Sequence, residues 1–166
     1  LGSMLATAAK KLNIKTVILS DDPDAPAKNF CDELIISDYK KNEKIEVFLK
    51  KVDIVTFEFE NIPYETLDEI NKLKPVLPKP SVNRLIQHRI AEKDFINNLN
   101  IRTTRYVPIE KKSDIESLKD FLPGILKTTT LGYDGKGQYP INSTAELNSL
   151  NIDFSKGYIL EKLVKL

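Results

Sequence analysis

The first hundred residues of the sequence alternate short apolar runs with amphipathic segments, and this alternation restricts the fold more than any other feature. Residues 16–19, 33–36 and 53–60 have the length and the β-branched or aromatic content of strands. Residues 3–12 and 42–50 carry apolar side chains at helical spacing. Strands that alternate with helices in this way predict an α/β fold with a parallel sheet, whose ligands lie beyond the carboxyl ends of the strands.

Acidic side chains follow two of these predicted strands. Asp21 and Asp22 come directly after the first, and Glu58 and Glu60 end the third. Residues two apart in a strand point to the same face. Two carboxylates held together repel each other unless they bind a cation or a group rich in hydrogen-bond donors. The alternative is a pair of solvated acids at a strand end. The apolar residues Ile54, Val55 and Phe57 indicate a central strand, which favours a binding role for Glu58 and Glu60.

The pattern changes after Asn100 from alternating strands and helices to an α+β arrangement. We therefore predict a domain boundary near residue 100. Residues 1–100 would form the parallel-sheet domain with its linker helices, and residues 101–166 a second unit that is small for an independent domain.

A glycine-rich loop interrupts the second unit between two predicted strands, residues 124–127 and 138–141. Glycines occupy positions 132, 135 and 137, and lysines stand at positions 127 and 136. Glycines let a ligand approach the backbone closely, and successive free N–H groups in such a turn suit an anion. The loop is therefore either a phosphate clamp or a β-hairpin turn with solvated lysines, and its glycines alone do not separate the two.

Composition excludes several kinds of site. The 166 residues carry a net charge of +1, so no global field favours nucleic acid or an anionic membrane. Cys31 is the only cysteine and His88 the only histidine, which excludes a disulfide framework and any cysteine-based or histidine-rich metal site. His88 is predicted to be a surface or capping residue rather than a catalyst. No apolar run approaches the ~20 residues that span a bilayer.

Five segments in order carry a resemblance to a known family. They are residues 22–27 (DPDAPA), residues 56–61 (TFEFEN), Arg89, residues 132–138 (GYDGKGQ) and residues 161–164 (EKLV). Together they are distributed along nearly the whole length of the chain. The sequence resembles the ATP-grasp enzymes, and among them the 5-(carboxyamino)imidazole ribonucleotide synthases of purine biosynthesis.

The resemblance implies a Rossmann-like pre-ATP-grasp domain followed by the small α+β lobe of an ATP-grasp domain. It also implies a cytoplasmic, homodimeric ligase with no nucleic-acid or membrane partner. In the implied reaction, ATP phosphorylates bicarbonate to carboxyphosphate. The amine of 5-aminoimidazole ribonucleotide then takes up the carboxyl group, and ADP and phosphate are released.

The resemblance also implies a role for individual residues. Lys127 and Arg89 would hold the α and β phosphates of ATP, and Lys127 and Lys136 would be catalytic. Glu161 would accept a hydrogen bond from the exocyclic amine of adenine. The implied nucleotide-binding set is Arg89, Lys127, Gly132, Tyr133, Asp134, Gly135, Lys136, Gly137, Gln138, Glu161, Lys162, Leu163 and Val164. The implied contacts with the imidazole nucleotide are Tyr133, Asp134, Lys136 and an acid of the pair Glu58 and Glu60, either of which could serve.

Departures from the family pattern lead to further expectations. The first strand and its glycine-rich turn are represented only by Leu1 and Gly2, and Ser3 stands where the family carries a basic residue. The C-terminal lobe, with the Mg²⁺ ligands of the family, has no counterpart in the sequence, so no metal ligand is predicted among these residues. We expect a fragment that is marginally stable and does not catalyse the reaction alone. The alternatives are another ATP-grasp carboxylase or ligase, and a non-catalytic nucleotide-binding remnant.

Overall fold

The computed structural model describes residues 1–111, 113–114, 118–132 and 137–164. The chain forms two compact units, Leu1–Arg84 and Leu85–Leu166. This division lies earlier in the chain than the boundary predicted near residue 100. The difference concerns the helix Arg89–Asn98, whose hydrogen bonds and ion pairs are made with the strands of the second unit.

The first unit contains a two-stranded parallel sheet with helices around it. Its elements are α1 (Gly2–Lys11), β1 (Val17–Ser20), β2 (Glu33–Ile36), α2 (Asn42–Leu49), α3 (Tyr64–Leu73) and α4 (Pro80–Ile86), which crosses the division. Val17 lies opposite Glu33, and Ser20 lies opposite Ile36. The prediction of a parallel α/β sheet is therefore confirmed.

Apolar residues from both strands and helices form the core of this unit. Leu67 and Ile70 of α3 are three residues apart, so they lie on one helix face, and both are buried. The Thr66 hydroxyl donates to the Tyr39 carbonyl at 2.9 Å. The buried cluster consists of Ile35, Phe48, Leu49, Val55, Leu67, Ile70 and Val76.

The predicted third strand, residues 53–60, is wrong as a strand. Only Val55 makes a β-bridge, in parallel with Val76, through two 2.9 Å bonds to the backbone of Pro75 and Leu77. The partner segment is short and lies between Pro75 and Pro78, which have no N–H group to donate. Strand-like composition in residues 53–60 is thus not matched by a strand partner among the described residues.

The apolar face predicted for the first helix is also placed differently. Met4, Leu5 and Leu12 are exposed, and the buried residue of α1 is Ala6. The helix packs mainly against the short 3₁₀ turn Pro26–Asn29, where Ala27 is buried. A turn of four residues covers a narrow strip of a helix, so small side chains fill the contact and the larger ones remain outside it.

The second unit is built on a four-stranded antiparallel sheet with the order β3-β6-β4-β5. Its strands and helices are α5 (Arg89–Asn98), β3 (Tyr106–Ile109), β4 (Gly124–Thr128), β5 (Gln138–Ile141), α6 (Thr144–Ser149) and β6 (Tyr158–Lys162). The two strands predicted on either side of the glycine-rich loop are confirmed as β4 and β5. Ser143 caps α6, accepting from the Glu146 N–H at 3.2 Å.

One face of this sheet carries the core of the second unit. Its buried residues come from the strands, from α6 and from the segment before β4, and they are Ile109, Leu118, Leu126, Ile141, Leu147, Tyr158 and Leu160. Within the described part of the chain, no helix is long and apolar enough to cross a membrane.

Gly124→Ala is expected to destabilise the second unit by about 1–3 kcal/mol. A Cβ atom at this position would lie 2.7 Å from the carbonyl oxygens of both Phe121 and Glu161, and the Glu161 backbone cannot move away without disturbing the pairing of β4 with β6. Gly2→Ala is the control, because its Cβ would meet its nearest neighbours at 3.5 Å. Amide hydrogen exchange in each variant's own unit measures the effect. Similar protection in Gly124→Ala and in the parent would contradict the close approach.

Candidate functional site

The sheet of the second unit places Lys127 and Glu161 on the face opposite the core. Lys127 lies across from Ile159, and Ile125 lies across from Glu161, in adjacent antiparallel strands. Side chains alternate between the faces of a strand. Since Leu126 and Leu160 are in the core, Lys127 and Glu161 share the other face and lie diagonally across β4 and β6.

Glu161 binds two lysines, one with each carboxylate oxygen. Lys127 Nζ lies 2.9 Å from Oε2, and Lys93 Nζ lies 3.3 Å from Oε1. The side chains of Lys93, Glu161 and Lys127 are 13, 10 and 20% exposed. Two ammonium groups and one carboxylate carry a net charge of +1. A net charge in such a poorly solvated place is unfavourable unless a further group of opposite sign joins it, so this cluster suits an anion.

Lys93 was not among the residues predicted from the sequence. It lies four residues after Arg89 on α5, so the two side chains occupy the same helix face. That spacing is the sequence signal that could have identified it.

Tyr106 supports the same cluster from β3. It lies opposite Glu161 in the sheet register, and Lys93 Nζ lies 5.4 Å from the centre of its ring. The Tyr106 hydroxyl donates to the Asp94 carboxylate. This hydrogen bond raises the pKa of Tyr106 above the usual value for tyrosine, because the carboxylate favours the protonated phenol.

Arg89 holds the start of the glycine-rich loop. Its Nη1 and Nη2 donate to the carbonyls of Thr128 and Gly132 at 2.8 and 2.6 Å, and its backbone N–H donates to Thr129 at 2.9 Å. The preceding residue, His88, caps α5 by accepting from the Ala91 N–H, which confirms the capping role predicted for it. A guanidinium has five N–H groups, so Arg89 can bind the loop and still donate to an anion.

The two ends of the loop have left-handed backbone conformations. Leu131 has φ of 61°, which costs about 1–3 kcal/mol for a residue with a side chain. Gly137 has φ of 71°, and its carbonyl accepts from the Thr128 N–H at 3.1 Å. Gln138 then opens β5 opposite Lys127. Four residues for which sequence predicted roles, Tyr133, Asp134, Gly135 and Lys136, lie outside the described residues.

The end of β6 and the segment after it are held by hydrogen bonds to backbone carbonyls. Lys162 Nζ donates to the carbonyls of Asp120 and Leu122, both at 2.9 Å, and the Leu163 N–H donates to the Pro123 carbonyl. The side chains of Leu163 and Val164 are exposed. Among the described residues nothing accepts from the Val164 N–H. The end of this segment therefore presents an apolar surface beside a backbone donor that has no acceptor in the described part of the chain.

The two acids predicted to act together have different surroundings in the first unit. The Glu58 carboxylate accepts from the Gly2 N–H at 3.2 Å, at the N-terminus of α1, where the helix dipole favours a negative charge. The Glu60 carbonyl accepts from Asn83 Nδ2 at 2.9 Å. Asn83 is fully buried, and its Oδ1 has no partner among the described residues.

Asp22, from the motif after the first strand, closes its own loop. Its Oδ1 accepts from the Asp24 N–H at 2.8 Å, and its N–H donates to the Ser20 hydroxyl. The first bond is that of an Asx turn and the second that of an ST turn made by Ser20, so both give Asp22 a structural role in the loop.

Two family models match the chain, one for each half. Residues 1–87 match the ribonucleotide synthetase preATP-grasp domain, and residues 94–166 match the ATP-grasp domain.

Individual relatives match over most of the chain. The N5-carboxyaminoimidazole ribonucleotide synthase of Pseudomonas aeruginosa is 36% identical over 89% of this chain and 41% of its own length. A solved N5-carboxyaminoimidazole ribonucleotide synthetase in complex with ADP has a TM-score of 0.88 and 32% identity, over 99% of this chain and 44% of that one. The Staphylococcus aureus synthetase complexed with ADP also has a TM-score of 0.88, with 28% identity, over 99% of this chain and 45% of that one. The chain therefore spans less than half the length of each of these relatives.

Glu161→Gln is expected to destabilise the second unit by about 1–3 kcal/mol, because it leaves two poorly solvated lysines without their carboxylate. Glu33→Gln is a matched control, since Glu33 pairs with Lys51 at the same 2.9 Å but in an exposed position. We expect that variant to lose about 0–1 kcal/mol. Amide hydrogen exchange in β4 and β6, and in β1 and β2 for the control, measures both. Equal losses would show that burial adds nothing to the Glu161 pairs.

Proposed function

Because this chain belongs to the ribonucleotide synthetase preATP-grasp family and continues into an ATP-grasp domain, we propose that it forms part of an ATP-dependent ligase that carboxylates 5-aminoimidazole ribonucleotide. In the reaction, bicarbonate takes the γ-phosphoryl group of ATP to form carboxyphosphate. The exocyclic amine of the nucleotide attacks the carboxyl carbon, and phosphate leaves. The names of the curated relatives support this acceptor.

The observation that carries the proposal is the cluster of Lys93, Lys127 and Glu161, with its excess positive charge, beside a loop that Arg89 holds. Phosphoryl transfer requires positioning and neutralisation of charge rather than covalent chemistry by the protein. Lys127 and Arg89 supply the cations for the phosphates of ATP. Relatives crystallised with ADP support a bound adenine nucleotide as part of the proposal.

Adenine lies at the end of β6 in this proposal. Glu161 accepts from the exocyclic amine, and the backbone of residues 162–164 faces the edge of the ring. The Val164 N–H, which has no acceptor among the described residues, donates to the base, and the side chains of Leu163 and Val164 supply apolar contact. The N–H groups of Lys162 and Leu163 already donate to the carbonyls of Arg105 and Pro123. Val164 is therefore the residue of this segment whose backbone N–H donates to the base.

The glycine-rich loop covers the phosphates and keeps water from carboxyphosphate, which hydrolyses readily. Gly132, Gly137 and Gln138 belong to this cover. Tyr133, Asp134, Gly135 and Lys136 complete it in the proposal. Tyr133, Asp134 and Lys136 also contact the acceptor nucleotide, and Lys136 acts beside Lys127 in catalysis.

Mg²⁺ is not assigned to any residue here. Among the described residues no group of three or more histidine, cysteine, aspartate or glutamate side chains could hold a metal ion. The Mg²⁺ that accompanies ATP in the proposed reaction would therefore be held by groups other than the described residues. We also propose that bicarbonate is the carboxyl donor. The full-length protein is a cytoplasmic homodimer in this proposal.

The reaction itself is tested with the full-length protein that carries this sequence. Formation of ADP should require both bicarbonate and 5-aminoimidazole ribonucleotide, and label from ¹⁴C-bicarbonate should enter an acid-labile product. ADP formation that depends on a different amine or acid would favour another ATP-grasp carboxylase or ligase. Absence of both nucleotide binding and ADP formation would favour a non-catalytic remnant.

Lys127→Ala in the same protein is expected to weaken ATP binding roughly 10–100-fold, the effect of removing one charge-assisted hydrogen bond. Titration calorimetry measures the dissociation constant. Lys51→Ala, which removes an exposed lysine paired with Glu33, is the control and should bind ATP like the parent. Unchanged affinity in Lys127→Ala would refute its assignment to the phosphates.

Glu58→Gln and Glu60→Gln separate the two acids assigned to the acceptor. Substitution of the residue that contacts the imidazole nucleotide should raise the KM for that substrate about tenfold or more. The KM for ATP should be unchanged, because the charged hydrogen bond that is lost was made only to the acceptor. Steady-state kinetics with each substrate varied in turn provide the measurement. If neither variant changes the KM for the acceptor, the pair does not bind it.

A further inference from the structure

We propose that Lys93 is a positioning residue that holds the Glu161 carboxylate for adenine while Lys127 turns to the nucleotide phosphates. It thereby sets the preference of the protein for an adenine base. This inference rests on the proposed function, in which Glu161 accepts from the exocyclic amine of ATP. Lys93 itself contacts neither phosphate nor base in this scheme, so it acts through Glu161.

The division of the carboxylate between two cations is the first step. Lys93 binds Oε1 at 3.3 Å, and Lys127 binds Oε2 at 2.9 Å. Of the two lysines, Lys127 lies on β4. The next residue is Thr128, whose carbonyl accepts from Arg89 at the start of the glycine-rich loop. Lys93 lies on α5 and is the more buried of the two. Lys127 is therefore the lysine placed to exchange Glu161 for an anion near the loop.

The second step is electrostatic. When Lys127 redirects its N–H groups to a phosphate, Glu161 keeps one counter-ion only if Lys93 remains. Without Lys93, the poorly solvated carboxylate would have Lys127 as its single cation in the cluster and would compete with the phosphate for it. Lys93 therefore serves two purposes: it releases Lys127 for the phosphates, and it fixes the direction of the carboxylate.

The surroundings of Lys93 hold it in place for this role. Its ammonium group lies over the Tyr106 ring at 5.4 Å, and the hydroxyl of that ring is bonded to Asp94, the next residue on α5. Tyr106 also lies opposite Glu161 in the sheet. Ring, helix and carboxylate together leave Lys93 little freedom, which is the condition under which a positioning residue can orient its partner.

The test uses ATP and inosine triphosphate with the full-length protein. Inosine triphosphate carries a carbonyl where ATP carries the amine, so an oriented carboxylate accepts from ATP and repels the analogue. We expect Lys93→Met to lower the ratio of kcat/KM for ATP over inosine triphosphate about tenfold or more. The KM for ATP should rise, and kcat should stay within about threefold. Lys93→Arg keeps the cation and should retain most of the preference.

Each outcome decides between the possible roles. Lys51→Met, which breaks an exposed ion pair in the first unit, should keep the parent ratio. Lys93→Gln is a second neutral variant, and its side-chain amide matches the polarity of the site. The ratio of kcat/KM values is measured on those neutral variants whose backbone amide hydrogen exchange matches that of the parent. An unchanged ratio in a folded neutral variant overturns the inference. A Lys93→Arg variant whose ratio falls as far as that of Lys93→Met also overturns it. A parent protein that binds ATP with no preference over inosine triphosphate overturns both this inference and the adenine contact of Glu161, whereas a preference that survives removal of Lys93 overturns this inference alone.

Discussion

The second unit depends on a carboxylate that has been taken out of water between two lysines. Glu161 is 10% exposed, and a carboxylate in that position is stable only when cations and hydrogen-bond donors replace its hydration. Lys93 and Lys127 do this, but they leave one positive charge in excess. The same contacts that make the sheet stable without a ligand therefore make it attractive to an anion, and stability and binding are coupled through a single side chain.

Helix α5 connects this cluster to the glycine-rich loop. Arg89 bonds the carbonyls of Thr128 and Gly132, Lys93 bonds Glu161 one helical turn later, and Asp94 bonds Tyr106. These contacts explain why the second compact unit begins at Leu85 rather than after Asn100. The sequence signal at Asn100, a change from alternating segments to an α+β pattern, marks the end of the helix rather than the end of the packing unit.

Local patterns predicted the strands around the loop and the capping role of His88, because glycines, prolines and capping residues act within a few positions of themselves. Contacts that depend on sheet register could not be read in this way. Lys127 and Glu161 were each assigned from motifs, but their 2.9 Å pair follows from the alignment of β4 with β6, which are far apart in sequence. The strand expected over residues 53–60 failed for a related reason, since strand-like residues form a strand only where a partner backbone is available.

Both ends of the glycine-rich loop are fixed in place, and this affects the affinity of the loop for a ligand. Arg89 ties the Gly132 carbonyl, and the Thr128 N–H ties the carbonyl of Gly137, so both ends are anchored to the sheet or to α5. A ligand that binds between anchored ends does not have to order them, and less of its interaction energy is consumed by lost chain entropy. The strained φ of Leu131 has the same consequence, because the cost of that conformation is met by the fold before any ligand arrives. Affinity at this site therefore depends also on contacts made within the protein, with Arg89 binding the backbone at one end of the loop and Lys93 binding Glu161 at the other side of the cluster.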